Sequence, residues 1–171
     1  MTKILPIFEL INKTSEYLEY VEDHVKNVQK AWEVLKKKCH DMRFIWDDFY
    51  YFTILSEIES HDISKLSEQE FVQYRESFYP AEFESKYVLD EAWEHHKKNN
   101  RHHWENWTTM ETVSFPDEWE IHCAHMICDW MAMGYKFGDT PRQYYEKNAD
   151  KIKIPGYAID FIYEIFNKIE K

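Results

Sequence analysis

The chain has 171 residues, 44% hydrophobic and 18% aromatic, enough for a self-sufficient core in a single domain spanning 1–171. Lys and Arg number 21 against 32 Asp and Glu, a formal net charge of -11. That balance disfavours a nucleic-acid polymer as partner, because such binding relies on a basic surface to release counterions.

The elements read as helices throughout. After Thr14 and Ser15, the residues Leu18, Val21, Val25, Val28, Trp32 and Leu35 recur at spacings of three and four, which predicts a first helix over about 15–38. A second, aromatic-rich helix is expected from about Phe44 to Lys65, with Ile45, Phe49, Phe52 and Ile58 inward. Ser67 followed by Glu70 has the form of a capping box and opens a short third helix that must stop by Pro80.

A fourth helix is expected from Tyr87 to about Lys98, and a long one over roughly 116–136, opened by Pro116-Asp117-Glu118 and closed between Gly134 and Gly138. The segment between 107 and 115 reads as a loop. Thr140-Pro141 starts another helix, and the last follows Pro155-Gly156 with Ile159, Ile162, Tyr163, Ile165 and Phe166 as its apolar stripe. The expected class is all-α: one helical bundle of about 6–8 helices, with a core over about 15–136 and helices 141–171 packed on it.

Cys39, Cys123 and Cys128 are odd in number and lack CxxC spacing, which argues against a disulfide framework and a cysteine zinc knuckle and for a reducing compartment. No stretch approaches 18 uninterrupted apolar residues, and MTKILPIFELI is too short an apolar run for a signal peptide. A cytoplasmic protein without a membrane partner is therefore expected. Gly134, Gly138 and Gly156 are the only glycines, so phosphate-cradling glycine loops are excluded and any chemistry must come from side chains on helices.

Five of the nine histidines fall in HDISK (61–65) and HHKKNNRHH (95–103). Imidazole beside carboxylate, as in His61-Asp62, suits a divalent ion such as Zn, Fe, Mn or Co. Lys65, one turn on, would project to the same side, where an ammonium can hold a phosphoryl oxygen; read alone it is a plain solvated lysine. His24 lies at the border of the first helix's apolar stripe, where a histidine is more often an ordinary core or edge residue.

His95 and His102, or His96 and His103, are seven residues apart, which in a continuous helix separates them by about 10 Å along the axis. That is too far for one compact site, where metal–nitrogen bonds are about 2.1 Å. If they cooperate, the helix must break, and Asn99-Asn100 is the place for it, since Asn serves both as a left-handed C-cap and as an N-cap. One histidine of each pair would then face the site. Further on, His122, His125 and Asp129 form one polar line along an otherwise apolar helix, and a carboxylate so placed is costly unless paired or metal-bound.

The order His24, His61-Asp62, the histidines of 95–103 and Asp129 resembles the H…HD…D pattern of the HD-domain metal-dependent phosphohydrolase superfamily, and HDISK its HDxxK form. WEHHKKNNRHHWENW followed by CDW is also similar to small bacterial and bacteriophage proteins with HHxxxNxHH and CDW signatures. The resemblance covers most of residues 20–136.

It implies an HD-like bundle in which His24, His61, Asp62 and Asp129 bind a first metal ion. Asp62 would bridge to a second ion completed by one of His95/His96 and one of His102/His103. The implied activity is hydrolysis of a small phosphorylated substrate, a nucleotide or nucleotide-derived ester, by a metal-activated water. Asp62 and Lys65 are the expected catalytic residues, with Arg101, His122, His125 and Trp104 beside Lys65 at the substrate; Trp93, Trp104 or Trp107 could stack a base. Two other readings compete: a di-iron oxygenase with a similar ligand set, and a non-catalytic protein that sequesters a nucleotide or blocks a host protein in phage counter-defence.

Overall fold

The first helix sets the frame. The computed structural model describes residues 6–84, 89–109 and 118–171, and α1 runs Pro6–Lys38, about 50 Å at 1.5 Å per residue. Its buried stripe is Tyr17, Val21, His24, Val28, Ala31, Trp32 and Leu35. Leu18, expected inward, is 43% exposed and yields its place to Tyr17. His24 therefore lies on the stripe itself, where an apolar residue would otherwise stand.

The expected second helix is three pieces: α2 (Arg43–Trp46), α3 (Asp48–Glu59) and a 3₁₀ turn, Ile63–Leu66. Asp47 makes the first break, its carboxylate accepting from the backbone N–H groups of Phe49 and Tyr50. This restart sets the register, so Tyr50, Ile54 and Ile58 point inward while Phe49 and Phe52, expected inward, are 58% and 63% exposed. The second break places His61 and Asp62 in a tight turn, not on a helix, and Asp62 takes the left-handed conformation (φ 57°), sparsely populated by non-glycine residues.

Helix α4 is Phe71–Phe78, α5 Asp90–Asn99 and α6 Trp104–Thr109. Glu70 precedes α4 without making a side-chain cap; its carboxylate bonds histidines of α5 instead, so the expected capping box does not form. Helix α5 ends where the two histidine pairs require a break, but Asn100 is extended and not left-handed, and its side-chain amide donates to the His96 carbonyl (2.8 Å). Helix α6 was not foreseen. The expected starts at Tyr87 and Pro116 and most of the 107–115 loop lie outside the described residues.

Helix α7 (Trp119–Phe137) is the central element, buried continuously from Ile121 to Cys128 and packed chiefly on α1. It closes at Gly138, whose φ of 92° makes it a left-handed C-cap. Helix α8 (Pro141–Asn148) starts with a full capping box of Thr140 and Gln143 and Pro141 in its first turn. Helix α9 (Gly156–Ile169) buries Ala158, Ile162, Ile165 and Phe166.

The described residues contain no strand, and no described helix is long and apolar enough to cross a membrane. The main core joins Trp32, Leu35, Ile54, Ile58, Ile127 and Phe166. A smaller cluster holds Tyr17, Val21, Tyr74 and Ala92. Along α1, His24 falls between them, after Val21 of the small cluster and before Val28 of the large one.

Candidate metal centre

Four side chains from three parts of the chain meet at this junction. His24 comes from α1, His61 and Asp62 from the turn after α3, and Asp129 from α7. His24 Nε2 lies 3.0 Å from His61 Nε2, 3.1 Å from Asp129 Oδ1 and 3.6 Å from Asp62 Oδ2. His61 Nε2 is 3.4 Å from Asp62 Oδ2 and 3.8 Å from Asp129 Oδ1. Ligands about 2.1 Å from a common ion are about 3.0–3.4 Å apart, close to what these separations are.

The other oxygen of Asp62 faces a second group. Oδ1 is 3.3 Å from His96 Nε2 and 3.4 Å from His102 Nε2, and His103 joins them in a cluster whose ligand atoms all lie within 4.8 Å of one another. Asp62 Oδ1 and His103 Nε2 are buried without a hydrogen-bond partner. Buried polar atoms are rarely left so, and lone pairs converging on one point are what a cation satisfies. The donor set fits divalent ions, with imidazole and carboxylate suiting Zn, Fe, Mn or Co.

The charges agree. Burial alone would raise Asp62, but the neighbouring His61, Lys65 and His96 hold its carboxyl well below the usual range. Asp129 is likewise lowered against its burial, by its bond to His24. Lys65 Nζ sits 2.5 Å from Asp62 Oδ2, and that pairing raises the ammonium's pKa although burial opposes it. Burial pushes His61 down to about 3 and His103 to about 4, and holds His102 well below its ordinary value. All three imidazoles are neutral at pH 7, the form that binds metal.

Behind the first group, His61 Nδ1 is 2.9 Å from His125 Nε2, and His125 Nδ1 is 3.3 Å from Glu57 Oε2. Behind the second, His96 Nδ1 is 2.8 Å from Glu70 Oε2. Neither glutamate was expected at the centre. Glu57 reaches His125 across the fold, which its place in the chain does not show, and Glu70 carried only the form of a helix cap.

Other sequence candidates fall elsewhere. His95 turns outward, Nδ1 bonded to Glu70 Oε1 at 2.7 Å, because a helix cannot aim adjacent residues at one point; it belongs to none of the metal-type clusters. Arg101 is directed to Glu118 at 3.5 Å with 59% of its side chain exposed. His122 faces Glu57, and His125 faces it too while meeting His61 and His102 in a third group of metal-type donors. None of these four lines the cavity over the centre.

That cavity holds about 550 Å³ and is walled by His24, Asp62, Lys65, His96, His102, His103 and Asp129 together with Tyr20, Tyr74, Trp93, Trp104, Trp130 and Tyr144. Trp104, expected at the substrate, is thus on the wall. The side chain of Trp107 is outside the described residues.

One pH effect follows for the metal-free protein. His61, His102 and His103 titrate near 6.5 when unfolded and well below that when folded, so below about 6.5 the unfolded chain binds protons that the folded one refuses. Stability then falls with pH by up to about 1.4 kcal/mol per histidine per pH unit. His96 opposes them: the carboxylates of Asp62 and Glu70 beside it raise it against burial, and its contribution is fully present below 6.5. With three groups against one, the urea midpoint of the metal-free protein should fall from pH 7 to pH 5; a constant or rising midpoint would mean that the imidazoles are not buried as neutral groups.

No curated protein and no solved structure matches the chain. A family model matches residues 13–168, a span that takes in every residue of the centre from His24 to Asp129: the chain belongs to DUF5662, a family of unknown function.

Proposed function

We propose that the protein is a metal-dependent phosphoric ester hydrolase of the HD type, acting on a nucleotide or nucleotide-derived phosphate ester. The observation that carries this reading is Asp62, whose two oxygens face two separate donor groups. His24, His61, Asp62 and Asp129 would hold one ion, and Asp62, His96, His102 and His103 a second. Bound divalent ions at such a pair of sites supply Lewis acidity, lowering the pKa of water and stabilising the attacking and departing oxygens of a displacement at phosphorus.

The chain's own groups do the rest. Lys65 carries a buried ammonium beside Asp62, placed to neutralise a phosphoryl oxygen. Trp93 and Trp104 on the cavity wall offer faces on which a base stacks. The left-handed backbone at Asp62 supports a functional role, because sparsely populated conformations persist where the surroundings over-determine them.

Metal analysis of the purified protein followed by a hydrolysis screen over mono-, di- and cyclic nucleotides, with the nucleotide and nucleoside products separated, tests the proposal. A hydrolysed ester bond seen only with metal-loaded protein is the expected result. Oxygen uptake by the reduced iron form without ester hydrolysis would replace it with the oxygenase reading. Negligible metal and neither activity would leave a binding protein.

A further inference from the structure

We infer that Glu70 and Glu57 are positioning residues for two ion sites that are supported separately, Glu70 acting through His96 and Glu57 through His125 and His61. The inference rests on the metal-binding part of the proposed function and adds residues that the ligand pattern does not contain.

An imidazole binds an ion through a nitrogen that carries a lone pair, so the proton must sit on the other nitrogen, and an acceptor there fixes both tautomer and ring orientation. His96 presents Nε2 to Asp62, and Glu70 takes its Nδ1. His61 presents Nε2 to His24 and Asp62; its Nδ1–H donates to His125 Nε2, whose Nδ1–H in turn donates to Glu57. In each case a carboxylate ends the line.

Glu70 is held by side chains around the second group rather than by a helix end. It is 0% exposed, and burying a carboxylate is expensive unless it is paired. It forgoes the helix cap that its position offers, while His95 holds its second oxygen. Glu57 reaches its site from α3 and Glu70 from the start of α4, and the two lines share no residue. Asp62 is the ligand the two sites share, and His61, His102 and His125 also lie close together between them, but the carboxylates that end the two lines are separate, so each should be removable without the other.

The test compares wild type, Glu70→Gln and Glu57→Gln after manganese loading, reading ions per chain by atomic emission and manganese–manganese coupling by electron paramagnetic resonance. Wild type should hold two coupled ions. Each variant should keep one ion and bind the other about ten- to a hundredfold more weakly, with the coupling signal lost.

Double variants identify the site. Glu70→Gln added to His102→Ala should remove no further ion, whereas Glu70→Gln added to Asp129→Ala should leave none tightly held; a general loss of packing would not sort in this way. Metal-free circular dichroism checks the fold. Should Glu70→Gln not fold, Glu70→Asp, which withdraws the carboxylate by one methylene, must show the same one-site weakening.

Wild-type affinity at both sites in both single variants would overturn the inference, and so would loss of both ions in either one. Wild type holding fewer than two ions would overturn it together with the two-ion reading. The expected pattern in a protein that hydrolyses no ester would support it and sink only the hydrolase assignment.

Discussion

Asp62→Ala should lose both ions and with them all metal-dependent ester hydrolysis. Asp62 is the one residue common to the two donor groups, Oδ2 toward His24 and His61 and Oδ1 toward His96 and His102. Removing a partner one shell further out typically costs about 10- to 100-fold in metal affinity, so loss of a ligand shared by both sites must exceed that at each. Alanine also changes the backbone, because the left-handed φ of 57° costs an ordinary side chain about 1–2 kcal/mol.

Asp62→Asn separates the two effects, since asparagine tolerates that conformation and differs from aspartate only in charge and in an amide NH2 in place of one oxygen. Both variants should hold no metal after dialysis, with Asp62→Asn melting at the higher temperature. Ions retained by Asp62→Asn at wild-type affinity would remove Asp62 from the centre.

Lys65→Ala should keep its metal and lose turnover by about a hundred- to a thousandfold, equivalent to about 3–4 kcal/mol of transition-state stabilisation. The ammonium lies 2.5 Å from Asp62 Oδ2, where it balances a carboxylate that is only 2% exposed. Breaking a buried pair by removing one partner destabilises by about 3–5 kcal/mol, so the metal-free variant should melt well below metal-free wild type. Added metal should close that gap by restoring positive charge beside Asp62. A variant with wild-type turnover, or one that no longer retains metal, would deny Lys65 its role at the phosphoryl group.

The break at Asn99 shows how far local reasoning reaches. Seven residues of straight helix hold His95 and His102 about 10 Å apart, so a common site demanded a turn, and α5 stops there. Which histidine of the first pair faces the centre was not legible, nor that both His102 and His103 of the second pair do. His95 and His96 are adjacent residues of one type, and only the packing of α5 beside Glu70 and the 3₁₀ turn turns His96 inward and His95 out.

The same division runs through the whole chain. Helical periodicity and end signals are properties of neighbouring residues, so the all-α class, the stop before Pro80, the Thr140-Pro141 start and the stripe of α9 could be read from the sequence itself. The ordered set His24, His61, Asp62 and Asp129 was also visible, as a pattern of residue types that apolar helix faces do not need. The tertiary structure alone decided the left-handed turn at Asp62, the outward face of Phe49 and Phe52, the removal of Arg101 to the surface and the recruitment of Glu57 and Glu70. Each of these depends on what lies across the fold, since burying a charge or an aromatic ring is favourable or costly only according to the partners that packing brings to it.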